Sequence, residues 1–325
     1  MEKNFSCPCC YAEDWMDIKK YHYEKNPRQN TSGNTSSYLT KRRYVLFNLW
    51  FSGDTTVTLT AIFCKNCGFV CYTPRPTEED IQRKYQYLAA QGEIGTLSDF
   101  SERGLKLDYQ RGQFMYDTIA RHHQLDSASV LDIGGGDGRL LRPFLEKGYD
   151  CNVVDFNLVP ADGIKRLGAT LEDLPDGTSF DILICSHVLE HVVHPGHFLR
   201  QLKKVLAPGG VIYIETPFEV WDGIPIQKDP VTHLNFFSQH SLNNALLINE
   251  LLPLVIETKL SSYDGIFKRV IRTVCGASET VKQYMDIKSD TTRKLLFPNF
   301  HKKLSRKFEN LGPLYKRHSP GNLLS

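Results

Sequence analysis

Val130-Leu131-Asp132-Ile133-Gly134-Gly135-Gly136-Asp137-Gly138-Arg139 runs from a buried-strand pattern straight into a glycine-rich turn and then a helical pattern. Glycines at 134, 136 and 138 let the chain turn tightly and approach a ligand with no Cβ in the way. A helix opening at Arg139 would aim free N–H groups and its positive dipole end at the same spot. The turn therefore reads as a cradle for an anionic or polar ligand. Counting from Gly134, the sixth position is Arg139, so the Gly-x-Gly-x-x-Gly pyrophosphate fingerprint fails at its last glycine. That disfavours a dinucleotide-dependent dehydrogenase.

The 325 residues suffice for a full core with one or two small appendages, since single cores stop growing near ~250–300 residues. No run approaches the ~18–20 apolar residues of a membrane span, and the first residues lack the apolar centre of a signal peptide, so a cytoplasmic location is expected. The net charge of +2 hides an asymmetry: from Lys259 onward there are 14 Lys or Arg against 5 Asp or Glu, or +9, leaving −7 for the rest. Such a basic end is either a solvated surface or a patch for an anionic partner. Six of the nine cysteines precede Tyr72, and in a reducing compartment this clustering points to metal rather than disulfides.

Cys7-Pro8-Cys9-Cys10 and Cys64-Lys65-Asn66-Cys67-Gly68 form two Cys-x-x-Cys knuckles, and four thiolates are what a tetrahedral structural zinc requires. Cys7, Cys10, Cys64 and Cys67 are the expected ligands, with Cys9 able to replace Cys7 or Cys10. Residues Asn26 to Thr40, rich in Asn, Ser, Thr and Gly, read as a loop. Residues 44–50 and 57–63 read as strands around a Ser52-Gly53-Asp54 turn. Thr77-Glu78-Glu79-Asp80 opens a helix, 91–101 reads as an exposed linker or lid, and helical spacing resumes from Leu105 to His122.

From Val130 strand and helix patterns alternate, implying a mainly parallel sheet covered on both faces. Strands are expected at 130–133, 151–154, 168–171, 180–186, 211–215 and 254–260, and helices near 139–147, 159–167, 195–206 and 238–250. The expected organisation is a zinc-binding unit (1–76), a helical linker or lid (77–129), a ligand-binding core (130–260) and a basic C-terminal extension (261–325).

Asp132 with the Gly-x-Gly-x-Gly turn, Asp155 at the end of the next strand, the segment Phe180 to His191 and the Pro208-Gly209-Gly210 turn together resemble the class I S-adenosylmethionine-dependent methyltransferases. The resemblance covers about residues 103 to 260 and implies a Rossmann-like α/β domain with a seven-stranded, mainly parallel sheet, preceded here by the zinc-bound β-unit. It also implies cofactor contacts from Asp132, Gly134, Gly136, Gly138, Asp155, Leu171, Glu172, Ser186 and His187. The cysteine pairs are similar to the zinc-binding region of a branch that includes deoxysugar C-methyltransferases. In that branch a Tyr-His-Glu-His segment before an aromatic-Phe-Ser supplies catalytic residues.

The matching segment here is Pro230-Val231-Thr232-His233-Leu234-Asn235-Phe236-Phe237-Ser238, in which only His233 fits. Taking a proton from carbon needs a strong, well-placed base, whereas a hydroxyl needs modest help, so the departure favours O-methylation over C-methylation. His233 is the candidate base, with Asp229 and His187 as second choices; the plain alternative is a packing histidine beside two phenylalanines. A sugar or glycan-precursor hydroxyl is the acceptor that the resemblance implies. Sugar C-methylation, and an RNA methyltransferase or nucleic-acid-binding module using the zinc unit and basic tail, stay as alternatives. Phe297, Phe300, Leu304, Phe308 and Leu311, interleaved with Lys302, Lys303, Arg306 and Lys307, read as a basic amphipathic helix. It would suit core packing, a membrane surface, or an anionic or lipid-linked acceptor, nucleic acid being less favoured. Lastly, His187-Val188-Leu189-Glu190-His191 matches the His-x-x-Glu-His zinc-protease pattern, which requires both histidines on one helix face.

Overall fold

A computed structural model describes residues 5–25, 37–91, 101–123, 128–156, 159–220, 231–263 and 266–278. Asp229, the basic stretch 297–311, most of the expected lid (92–100) and part of the expected loop (26–36) lie outside these residues.

Among the described residues, two sheets carry the fold. The first is antiparallel, in the order β1 (Trp15–Glu24), β2 (Thr56–Cys64), β3 (Val70–Thr73) and β9 (Asn235–Phe236). Its last strand is contributed from far along the chain, through Val70↔Phe236 and Cys71↔Asn235. The second sheet contains β4 (Ser129–Ile133), β5 (Asp150–Val154), β6 (Lys165–Gly168), β7 (Phe180–Ser186), β8 (Leu206–Pro217), β10 (Leu251–Tyr263) and β11 (Ile266–Ala277), in the order β10-β11-β8-β7-β4-β5-β6. Strands β4 to β8 pair in parallel, and β11 runs antiparallel to both neighbours. This is the expected mainly parallel, seven-stranded Rossmann-like sheet. Val130, Leu131, Ile182, Leu183, Ile184, Ile212 and Ile214 are fully buried, as central strands covered on both faces must be.

Several elements depart from expectation. Residues 44–50 are not a strand: α1 (Ser37–Tyr44) runs into a π-helical turn over Val45–Trp50 that buries Val45, Leu46, Phe47 and Trp50. The place beside β2 is taken by β1, whose weak alternation reflects an edge strand that buries only Trp15 and Tyr21. The helix expected over 159–167 is absent; Gly163 at φ +82° turns the chain into β6, three residues before the strand expected at 168–171. The 139–147 helix is reduced to a 3-10 turn and the one-turn α4 (Arg142–Leu145), with Pro143 at its start. Strand β11 lies between β8 and β10, so the core sheet continues past the boundary drawn at residue 260.

The remaining helices are α2 (Glu78–Ala90), α3 (Glu102–Ala120), α5 (Pro195–Lys204) and α6 (Gln239–Ile248). Helix α2 opens with the capping box Thr77/Asp80, matching the helix start read from the sequence. No helix among the described residues is long and apolar enough to cross a membrane.

Candidate active site

The glycine turn forms at the C-terminal end of β4, where ligands bind in open α/β sheets. Gly134, Gly136 and Gly138 have φ of +68°, +63° and +79°, which strongly favours glycine at all three. A Cβ at Gly134 would lie 2.7 Å from Val188, and one at Gly135 would lie 2.3 Å from Asp132 Oδ2, so the turn folds directly over that carboxylate. Asp132 is 1% exposed, and its Oδ2 makes no hydrogen bond among the described residues. Burial pushes its carboxyl up to about 7. Asp155 directly follows β5, and its Oδ2 accepts a 2.9 Å hydrogen bond from the Gly136 N–H.

Gly134, Asp155, Leu171, Glu172 and His187 line one cavity of about 320 Å³. Helix α2 covers it with Ile81 and Tyr85, and Tyr85 stacks on Phe156 at 5.5 Å. Glu172 Oε1 accepts from Gln201 Nε2, and Thr170 caps the short turn that presents Leu171 and Glu172. Gly138 instead lines a neighbouring cavity with Arg139 and Asp108. Ser186 Oγ receives Arg111 Nη2 at 2.6 Å and lies 3.3 Å from Glu215. Glu215, 1% exposed, is held by Arg111 at 2.9 Å and Arg272 at 3.0 Å.

A hydrogen-bonded clamp holds the loops beside this cavity. Asn235, buried in β9, donates through Nδ2 to the carbonyls of Leu189 and Val192, and Arg75 Nη2 donates to Asn235 Oδ1 and the Val193 carbonyl. The backbone N–H groups of Leu234 and Asn235 both donate to the Glu190 carbonyl. This fastens the turn after β7 to the strand after His233. His191 and His233 end with ring centroids 5.0 Å apart. Glu190 Oε1 lies 3.1 Å from His187 Nδ1. Although burial opposes it, the His187 hydrogen bond and the nearby imidazoles hold the Glu190 carboxyl down to about 2. Burial lowers His191 to about 3 and so keeps it neutral. His187, at φ +58°, holds a backbone strain of the kind that gathers at functional sites.

Residues 187–193 form a turn rather than a helix, so the two histidines of the protease pattern do not share a helix face. Sequence reasoning passed over Glu190 and His191 except as that decoy, and it missed Glu219, whose Oε2 lies 2.8 Å from His233 Nδ1. No motif marks Glu219; only the folded loop brings it to His233.

The Sγ atoms of Cys7, Cys10, Cys64 and Cys67 lie within 4.8 Å of one another, with Cys7–Cys67 at 3.6 Å and Cys10–Cys64 at 3.5 Å. Thiolates around a tetrahedral zinc at ~2.3 Å stand about 3.8 Å apart, and disulfide sulfurs about 2.05 Å, so the spacing fits the metal. Cys9 and Cys71 are buried outside this set. The knuckles pack on the second sheet's helices: Gly196 N–H of α5 donates to the Pro8 carbonyl, and Asn244 of α6 to that of Cys67.

The sequence model of a family described as "Methyltransferase domain" matches residues 107–248. That stretch, 142 of the 325 residues, is similar to a methyltransferase domain. A ubiquinone biosynthesis O-methyltransferase of Rickettsia canadensis is 27% identical over 118 residues, which cover 33% of this chain and 50% of the relative. The Caulobacter vibrioides enzyme of the same name is 34% identical over 104 residues, covering 28% of this chain and 41% of the relative. The chain thus spans about half or less of the length of these curated relatives. Among solved structures, a 1,6-didemethyltoxoflavin-N1-methyltransferase of Burkholderia thailandensis with bound S-adenosylhomocysteine is 15% identical, with a TM-score of 0.47, covering 65% of this chain and 96% of that one. The matched stretch contains the glycine turn, Asp155, His191 and His233.

Proposed function

We propose that the protein transfers the methyl group of S-adenosylmethionine to a hydroxyl of a small-molecule acceptor. The observation that carries this reading is the cavity in which Asp155, anchored by the Gly136 N–H, and the glycine turn over Asp132 meet His187 and His191. Asp155 would hold the ribose hydroxyls, Leu171 and Glu172 the adenine, and Asp132 with Gly134 and Gly136 the cationic methionyl end. When bound, the cofactor supplies an electrophilic methyl: its S–C bond breaks as an O–C bond forms, giving the thioether, the methyl ether and one proton. The chain supplies alignment, exclusion of water beneath Tyr85 and Ile81, and acceptor activation at His233, His191 and Glu190.

Oxygen as the methylated atom is supported by the printed names of the curated relatives and by Pro230 and Thr232 standing where a C-methylating branch has tyrosine and glutamate. A sugar hydroxyl finds no counterpart in those names, so the acceptor class proposed is a small-molecule hydroxyl. The four cysteines would hold a structural zinc. The test is transfer of a ¹³C-labelled methyl to a panel of hydroxylated acceptors, read by NMR. A methyl carbon bonded to oxygen supports the proposal, and one bonded to carbon sinks it.

The Asp132 carboxyl gives a pH dependence. With its pKa raised to about 7 in the ligand-free fold, it is mostly neutral at pH 6 and mostly ionised at pH 8. A cationic ligand prefers the ionised form, so affinity should rise with pH. Binding of S-adenosylmethionine is expected to be about tenfold weaker at pH 6 than at pH 8, one decade per unit below the pKa. In Asp132→Asn that slope should vanish, and calorimetry across this range reads both.

A further inference from the structure

The cluster beside the cofactor cavity has the donor chemistry of a cation site. Among the described residues, atoms of Glu190, His191 and His233 that could ligate a metal lie within 4.8 Å of one another. The hydrogen bonds fix the tautomers. His191 Nδ1 lies 2.6 Å from the Thr232 carbonyl oxygen, which can only accept, so Nδ1 carries the proton and Nε2 the lone pair. His233 Nδ1 lies 2.8 Å from Glu219 Oε2, with the same consequence. His191 Nε2 stands 3.8 Å from Glu190 Oε1, beyond hydrogen-bond reach.

The two buried glutamates of the region differ in compensation. Glu215 is paired with the guanidinium groups of Arg111 and Arg272. Glu190 is equally buried at 1% exposure, yet its ion-pair partners among the described residues are only the imidazoles of His187 and His191. His187 hydrogen-bonds to one Glu190 oxygen, and the Nε2 lone pairs of His191 and His233 beside the same buried carboxylate leave a donor set that a cation would complete. Imidazoles whose other nitrogen is tied to a carboxylate or a backbone carbonyl are also the usual form of metal-ligating histidine.

We propose that Glu190, His191 and His233 bind a divalent first-row transition cation through the carboxylate and the two Nε2 atoms, with Thr232 and Glu219 orienting the rings. Side-chain shifts on the order of 1 Å bring the three donors onto a common sphere of ~2.0–2.2 Å. Two imidazoles and one carboxylate select this class over calcium or magnesium, and three protein ligands leave positions for water or an acceptor oxygen. The cation's role rests on the methyl-transfer reading. An acceptor hydroxyl bound there loses its proton to solvent, and its oxygen then takes the methyl as the S–C bond breaks. The site itself does not depend on that reading.

The test is a Co²⁺ titration of the full chain with its cysteine site already loaded with Zn²⁺, followed by ligand-field absorption and calorimetry, with S-adenosylhomocysteine affinity measured in parallel. One Co²⁺ per chain is expected in a nitrogen and oxygen environment. Affinity should fall at least about 100-fold in His191→Ala and His233→Ala, and about 10–100-fold in Glu219→Gln, which removes only the orienting charge. In His233→Ala and Glu219→Gln, which lie outside the cavity lining, S-adenosylhomocysteine affinity and the far-ultraviolet spectrum should stay as in the unmutated chain. Equal Co²⁺ binding by the unmutated chain, His191→Ala and His233→Ala would overturn the proposal, as would no binding at millimolar Co²⁺. Failure of the unmutated chain to bind S-adenosylhomocysteine would instead sink the methyl-transfer reading, while the Co²⁺ comparison would still decide the site.

Discussion

Cys10→Ser is expected to abolish zinc binding at the cysteine site and to melt β1, β2 and β3, while the strands β4 to β8 stay protected. Free energies of structural zinc binding run to ~10–16 kcal/mol, as large as the ~5–15 kcal/mol net stability of a whole domain. A sheet of two long strands closed only by the four-residue β3 and the two-residue β9 cannot replace that from its own packing. The damage should also spread. Cys7, Cys64 and Cys67 share one core cluster with Phe237, Leu199 and Leu242, and β3 holds β9, the strand that follows His233. Loss of the metal should therefore loosen the acceptor side before the cofactor side. Metal analysis with hydrogen exchange resolved by segment checks this: one zinc in the unmutated chain, none at the cysteine site in the variant, and fast exchange confined to β1–β3 and residues 231–237. Full zinc retention in Cys10→Ser would overturn the ligand assignment.

His233→Ala is expected to retain cofactor binding and to lower methyl transfer by roughly 10²–10⁴, the usual worth of a group that activates the acceptor hydroxyl. The side chain is partly exposed, 19%, so its removal should cost little stability, in contrast to the fully buried Asn235 two residues later. Turnover should fall in kcat rather than in the apparent affinity for S-adenosylmethionine, because His233 does not line the cofactor cavity. Glu219→Gln should fall between the unmutated chain and His233→Ala. Undiminished turnover in His233→Ala would return it to a packing histidine.

The sequence made the proposed cofactor half legible and the proposed acceptor half nearly opaque, for a physical reason. Asp132, the glycines and Asp155 are local: a strand end, a turn needing positive φ and the next strand end follow from periodicity and the loss of Cβ. Glu190, His191, Glu219 and His233 meet only because Asn235 and Arg75 clamp two loops about 40 residues apart, and no spacing rule encodes that clamp. Residues 44–50 were misread because an aromatic and β-branched run looks alike in a strand and in a helix packed on one side. Strand β11 escaped because the chain reverses after β10 and inserts beside β8, a non-local pairing.

The central claim, that this cradle binds S-adenosylmethionine, is tested most directly by calorimetric titration of the cofactor into the unmutated chain and Asp155→Ala. The account predicts one site per chain, weakened in the variant by ~2–4 kcal/mol, the scale of losing two hydrogen bonds to a charged acceptor. Equal affinity in the two proteins would contradict it, and so would binding of a nicotinamide dinucleotide in place of S-adenosylmethionine.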